Sequence, residues 1–375
     1  MSAPGPIEVE SSPRSGMLAA MFAQRHLLLL TRAGYEGDCA AQVQAVAAEA
    51  GVHGFCKAKA DTGYLTFIAH DAHALAAWFE TLSLDDLIFA RQLCLAGEPL
   101  DDLPPANRLG PILAALDGQE FGGVYVETPD AEATRPLMRL ARQFTKPLEQ
   151  SMRKRGLLQP GNRELPRLHL TFTDTTTAIP GWSHPGQAAP QPMGIRRLKM
   201  AKDAPSRSAL KLEEALITFL SPAERKDLLR AGLEAVDLGA APGGWTWQLV
   251  RDGLMVTAVD NGPMAEVLTG HVSVEHRRED GFTFRPERPV EWLVCDMVEK
   301  PSRVADLMAD WMARGDCQRA IFNLKLPMKK RQQAVMDAVE RIAARLEEAE
   351  VGFEIDVRQL YHDRDEVTAY LRRVS

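Results

Sequence analysis

One ten-residue stretch constrains this chain more than any other. It is Val236-Asp237-Leu238-Gly239-Ala240-Ala241-Pro242-Gly243-Gly244-Trp245, an apolar strand that runs into a small-residue turn and then into a helix-forming segment. Small residues at such a turn let a ligand approach the main chain at the carboxyl end of the first strand, the place where doubly wound α/β sheets bind. A dinucleotide fold would put G-x-G-x-x-G here, because its second glycine admits a pyrophosphate. Two positions after Gly239 this chain has Ala241, followed by Pro242. The turn suits a ligand without a pyrophosphate and argues against a nicotinamide-dependent oxidoreductase.

The sequence around the turn alternates between apolar runs and helical periodicity. Strands are expected at 235–238, 255–260, 272–276, 292–296, 320–324, 354–360 and 367–371, and helices at 246–251, 304–314 and 330–349. The C-terminal part, 206–375, therefore reads as a doubly wound, Rossmann-like α/β domain. Within it Asp260 ends the second strand, 260 minus 237 or 23 residues after Asp237, close to the offset of about 20 at which an acid reaches ribose hydroxyls in such folds. Asp280, after the third strand, is placed to accept from an adenine amino group, or else is a turn or helix-capping aspartate. Trp245 and Trp247 are expected to pack in the core.

The N-terminal half reads differently. Strands expected at 26–31, 64–69 and 87–95, with helices at 35–49 and 72–82, suggest an α+β unit of ferredoxin-like type over 18–100. A second α+β module over 101–180 has expected strands at 124–127 and 167–173 and helices at 131–142 and 146–155. The stretch 178–205 carries Pro180, Pro185, Pro190 and Pro192 and reads as linker chemistry, with a linker expected over 181–205 and a boundary near residue 195. Residues 1–17, rich in Pro and Ser, are expected to form a disordered leader.

Composition narrows the class. A net charge of −7 argues against coating nucleic acid through bulk positive charge, so RNA contact would need local patches. Three basic clusters qualify: Lys146, Arg153, Lys154 and Arg155; Arg196, Arg197, Lys199, Lys202 and Arg207; and Lys329, Lys330 and Arg331. The second holds five cations against Asp203 alone. The 5 cysteines include no C-x-x-C pair, so neither a metal site nor a disulfide framework is expected, and a cytoplasmic location fits. No signal peptide or membrane span is expected.

Asp-Leu-Gly-Ala-Ala-Pro-Gly-Gly-Trp resembles the cofactor loop of the FtsJ-type, Rossmann-fold RNA 2'-O-methyltransferases. That resemblance implies S-adenosylmethionine as cofactor, with Ser208, Ala241, Pro242, Gly243, Gly244, Asp260, Asp280 and Asp296 as candidate contacts, no metal, and a Lys-Asp-Lys-Glu catalytic tetrad. Matched one at a time, the tetrad falls on Lys211 before the first strand, Asp296 at the end of the fourth, Lys325 at the end of the fifth, and Glu366 between the last two, where Asp363 and Asp365 compete for the role. A ribose hydroxyl is a poor nucleophile and needs a base. Lys325 is the candidate, on the expectation that desolvation or the second cation, Lys211, lowers its pKa while Asp296 and Glu366 position the ammonium groups.

The resemblance runs further, through 30–36, 87–92, 193–199, 260–264 and 324–330, to bacterial 23S ribosomal RNA 2'-O-ribose methyltransferases. It implies a THUMP module for RNA binding in the N-terminal half, 23S ribosomal RNA or a precursor particle as partner, and a cytidine of the peptidyl transferase loop as target. A monomer with no DNA or membrane partner is expected. Two alternatives remain: a methyltransferase of transfer RNA or another ribosomal site, and a catalytically silent RNA-binding assembly factor.

Overall fold

The computed structural model describes residues 24–374, so the expected leader at 1–17 lies outside the described residues. The chain divides into two compact units at Gly194/Ile195.

The first unit opens with β1 (His26–Thr31), α1 (Glu36–Glu49), β2 (Gly54–Ala58), β3 (Tyr64–Ala69), α2 (Ala72–Phe79) and β4 (Ala90–Ala96), a βαββαβ order whose strands lie β2-β3-β1-β4, all antiparallel. This is the ferredoxin-like arrangement. β2 went unforeseen because it is an edge strand that leaves Phe55 45% exposed and shows no apolar alternation. After α3 (Leu109–Ala115) come β5 (Gly123–Glu127), α4 (Leu137–Lys154), β6 (Arg167–Phe172) and β7 (Ala178–Ser183). α4 replaces the two helices expected around 131–155. Pro147 sits inside it and removes one N–H, but the carbonyl that loses this partner belongs to exposed Gln143.

The linker expectation needs correction. β7 lies within it and joins the two halves into a single sheet, β2-β3-β1-β4-β7-β6-β5. Pro180 and Gly181 hid this strand. Gly181 pairs with Ala96, and a Cβ there would lie 2.6 Å from Cys94 Sγ, so the close approach of β4 excludes a side chain. The chain beyond β7 is also pinned to this unit: Gln187 Nε2 donates to Phe79 O at 2.5 Å, and Ala189 N donates to Gln92 Oε1 at 2.9 Å.

The second unit contains α5 (Ala209–Phe219), α6 (Pro222–Leu228), β8 (Glu234–Leu238), α7 (Gly244–Arg251), β9 (Met255–Val259), β10 (Val274–Arg277), β11 (Val290–Cys295), α8 (Pro301–Arg314), β12 (Cys317–Lys325), α9 (Arg331–Glu348), β13 (Phe353–Arg358) and β14 (Glu366–Arg373). The sheet order is β10-β9-β8-β11-β12-β14-β13, with β10 to β12 parallel and β14 antiparallel to both neighbours. Helices cover the central strands, so these read as continuous apolar runs, with Trp292, Leu293, Val294 and Cys295 at zero exposure. Strand order reverses between β8 and β11, which opens a crevice at their carboxyl ends. Both tryptophans of α7 are buried as expected, Trp245 against the central core and Trp247 against Leu268.

Candidate active site

The glycine turn is shaped by its protein neighbours. Gly243 has φ +108, and a Cβ there would sit 2.2 Å from Leu268 Cδ1. At Gly244 a Cβ would fall 2.1 Å from Ser208 Oγ and 2.5 Å from Ser206 Oγ, two hydroxyls that lie 2.6 Å apart. Ser208 thus packs the start of α5 against the start of α7.

One cavity at the strand ends is lined by Gly239, Ala241, Asp260, Asp280, Phe282 and Asp296, among others. Of the expected cofactor contacts, Ala241, Asp260, Asp280 and Asp296 line it, whereas Ser208, Pro242, Gly243 and Gly244 do not. Asp260 follows β9, and its carboxylate is anchored by Ala241 N at 3.1 Å and Gly262 N at 2.6 Å. Asp280 serves its own turn, accepting from Phe282 N at 2.9 Å, and also faces the cavity. An acid at the end of β9, a second acid beside an apolar ring, and a wall of small residues fit an adenosine-bearing ligand.

Beside that cavity, four charged side chains converge. Lys325, the last residue of β12, donates to Asp296 Oδ1 at 2.6 Å and to Glu366 Oε2. Lys211, in the first turn of α5, donates to Asp296 Oδ2 at 3.2 Å and pairs with Glu366 Oε1. Each lysine therefore meets both carboxylates. The competing acids go elsewhere: Asp365 is exposed, and Asp363 is buried one layer below.

Burial works to raise the pKa of Asp296, but Lys325 and Lys211, with hydrogen bonds from Lys325 and Asn323, outweigh it and hold the carboxyl below the usual range. Burial would lower the pKa of Lys325, and here Asp296 and Glu366 outweigh it and hold the ammonium above the ordinary lysine value. The expected downward tuning of Lys325 is not what this structure shows. Two anions in contact with its Nζ outweigh desolvation.

Several polar residues of the site carried no assigned role in the sequence reading. Asn323 Nδ2 donates to Asp296 Oδ1 at 2.8 Å, Thr368 Oγ1 donates to Asn323 Oδ1 at 2.8 Å, and Glu214 Oε1 accepts from Tyr361 N at 2.9 Å. Burial pushes the Asp237 carboxyl up to about 7, with Asp296 and Asp260 adding to the rise and a 2.6 Å hydrogen bond from Thr246 opposing it. Polar residues in otherwise apolar strands were the available signal, since buried polar groups need partners. Among the described residues, no cluster of His, Cys, Asp and Glu could hold a metal ion, and no helix is long and apolar enough to cross a membrane.

A doubly wound sheet with this strand-end cavity, over a region 204–328 that matches the FtsJ-like methyltransferase family, defines an S-adenosylmethionine-dependent methyltransferase. Residues 24–94 match the family described as RlmM ferredoxin-like domain, and 107–184 match ribosomal RNA large subunit methyltransferase M, N-terminal. The ribosomal RNA large subunit methyltransferase M of Aromatoleum aromaticum is 51% identical over 348 residues, 92% of this chain and 94% of that protein. Its counterpart in Thauera aminoaromatica is 48% identical over 94% of this chain and 97% of its own length. The chain belongs to the ribosomal RNA large subunit methyltransferase M family.

Proposed function

We propose that this protein transfers a methyl group from S-adenosylmethionine to a ribose 2'-hydroxyl of 23S ribosomal RNA, at a single cytidine of the peptidyl transferase loop. The observation that carries the reading is the pair of lysines, each held by both Asp296 and Glu366, beside a cavity that Asp296 also lines. The relatives' names supply the ribosomal RNA; the tetrad supplies the hydroxyl chemistry.

The cofactor, when bound, supplies an electrophilic methyl group on a cationic sulfur. Ala241, Asp260 and Asp280, which line the cavity, would hold its adenosine end. Lys325, as the neutral amine, takes the proton of the attacking hydroxyl, and Glu366 and Asp296 keep its nitrogen aimed. Asp296 lines the cavity and also accepts from Lys325, so it would link the bound cofactor's site to the base. Lys211 keeps Glu366 and Asp296 partly neutralised whichever form Lys325 takes. An open groove lined by Val298, Pro301, Leu326 and Pro327, with Glu299, Lys300, Lys325 and Asp337 also on it, gives the target nucleoside an apolar seat with a charged rim. The exposed cations Arg197, Lys199, Lys202 and Arg207 before α5, with Lys329 and Lys330 after β12, supply phosphate contacts.

The test is incubation with methyl-labelled cofactor and unmodified 23S ribosomal RNA, transfer RNA as control, with the label mapped by alkali resistance. Label on one cytidine ribose supports the reading. Label on a base, or on transfer RNA alone, overturns it.

A further inference from the structure

Below the tetrad lies a chain of buried polar groups with no role yet. Asp363 is 1% exposed, and Thr368 and Asn323 are fully buried. In the β12–β14 ladder Asn323 faces Thr368 and, two residues on, Lys325 faces Glu366, so the period of two puts all four side chains on one face of the sheet.

The direction of the hydrogen bonds follows from what each group can do. Asp296, an anion between two ammonium groups, can only accept, so the Asn323 atom 2.8 Å from it is the NH2. The other end of that amide, Oδ1, can then only accept, and the partner 2.8 Å away is the Thr368 hydroxyl. A hydroxyl has one proton, and this contact uses it. Thr368 Oγ1 also lies 3.0 and 3.2 Å from the two Asp363 oxygens, so the proton between them belongs to Asp363. Leu360 N donates to Asp363 Oδ2 at 3.0 Å.

We propose that Asp363 is a positioning residue in its neutral acid form, heading a one-way chain through Thr368 and Asn323 that presents a donor to Asp296 and so keeps Asp296 ionised and aimed at both lysines. The groups facing Asp363 agree. Burial, then Glu366 on β14 and Glu214 on α5, raise its pKa well above the usual carboxyl range, opposed by the Leu360 N–H and Thr368. If Asp363 ionised, Thr368 would turn its proton back, Asn323 would lose its donor, and the amide would turn its oxygen toward Asp296.

The consequence for turnover rests on the methyltransfer reading; the protonation state does not. Two measurements keep them apart. In protein carrying 13C-labelled aspartate, the carboxyl signal that Asp363→Asn removes should stay at its protonated position through pH 8; a carboxylate signal there overturns the proposal whether or not the protein methylates RNA. In single-turnover methyl transfer, Thr368→Val should slow the rate about ten- to a hundred-fold, as expected when buried polar groups lose a partner, with cofactor Kd and RNA KM within about twofold. Thr368→Ser and Asp363→Asn, whose amide donates to Thr368 and accepts from Leu360, should stay near wild type. An Asp363→Asn rate as low as that of Thr368→Val, or full activity in folded Thr368→Val, overturns the proposal. If wild-type protein labels no RNA, the methyltransfer reading fails and the carboxyl signal still decides the chain.

Discussion

Lys325 and Glu366 are direct partners in the antiparallel β12–β14 ladder, so the register of two strands fixes an ammonium against a carboxylate with little freedom on either side. Antiparallel neighbours sit about 5 Å apart on a shared face, a span that a long lysine and a glutamate can bridge. Reversal of the last strand is what brings Glu366 to the strand-end crevice that holds Lys325 and Asp296.

Replacing the base tests that relationship most directly. Lys325→Met keeps the length and apolar stem of the side chain and removes the amine, so single-turnover methyl transfer should fall by about 10² to 10⁴, the usual range for a general base. Cofactor binding, followed by calorimetry, should change little because Lys325 does not line the Asp260 cavity. Loss of cofactor affinity in parallel with rate would point instead to a collapsed site.

The raised pKa of Lys325 sets a pH dependence with a definite sign. Neutral amine is the active form, so below that pKa the active fraction grows about tenfold per pH unit. kcat/KM for RNA, measured with cofactor well below its Kd so that it reports the free enzyme, should climb with slope near one between about pH 7 and 9 without levelling. A plateau beginning near neutrality would show a lowered base. Stability runs the other way. The raised lysine pKa contributes stability below the unfolded value that is lost as pH climbs through the folded one. The depressed Asp296 contributes above its unfolded value and loses its share as pH falls.

Much of this site was legible because strand ends are legible. Apolar runs located β8, β9, β11 and β12, and the charged residue closing each of the last three fell into the crevice that strand order creates. Glu366 was the fourth member by resemblance, with Asp363 and Asp365 as competitors, because only the β14 register shows that 366 aligns with 325 while 365 is exposed. The sign of the Lys325 shift was also beyond the sequence. Desolvation and two carboxylates act on it in opposite directions, and their balance depends on distances. In the first unit, β2 and β7 escaped because one is an exposed edge and the other carries proline and glycine at positions where its neighbours approach closely.

The glycine turn makes a prediction about stability. A Cβ at Gly244 meets the Ser208 and Ser206 hydroxyls at 2.1 and 2.5 Å. Gly244→Ala should therefore cost about 1–3 kcal/mol, the typical range for overpacking, and lower Tm by several degrees. Combining it with Ser206→Ala and Ser208→Gly should restore part of that loss. A triple variant no more stable than Gly244→Ala would mean that the turn needs glycine for another reason.

In the first unit, Glu127 is 1% exposed and collects three bonds, and its histidine partner makes a further one. His169 Nδ1 lies 2.8 Å from one oxygen, Gln92 Nε2 donates to the other at 3.3 Å, Met193 N also donates to it, and His169 Nε2 meets Ser183 Oγ at 2.8 Å. A serine, histidine and glutamate in this order would suggest a nucleophile, but Ser183 and His169 have zero exposure and no substrate reaches them. Their work is to pin 187–193 against β5 and β6. Glu127→Leu should leave His169 Nδ1 and the Met193 N–H without their acceptor, while Gln92 Nε2 keeps Gln191 O at 3.2 Å; it should cost about 1–3 kcal/mol for each unpaired buried group and speed proteolytic cleavage between 187 and 194. Unchanged protection of that segment would remove Glu127 from its anchoring.

Val298 is 89% exposed between Asp296 and Lys300, and its loop forms the shared wall of the Asp260 cavity and the groove beside Lys325. A valine so exposed contributes almost nothing to folding, and surface replacements away from special features usually change stability by under about 0.5 kcal/mol. Any effect of Val298→Asp must then come from what lies against it. If the groove seats the target nucleoside, a carboxylate at its rim removes an apolar contact and repels the flanking phosphates. KM for RNA should rise about tenfold or more and depend more steeply on salt, while Tm and cofactor Kd stay at wild-type values. Val298→Leu should behave as wild type. If RNA KM is unchanged in Val298→Asp, the nucleoside enters by another path; if cofactor Kd rises alone, Val298 belongs to the cavity on the other side of its loop.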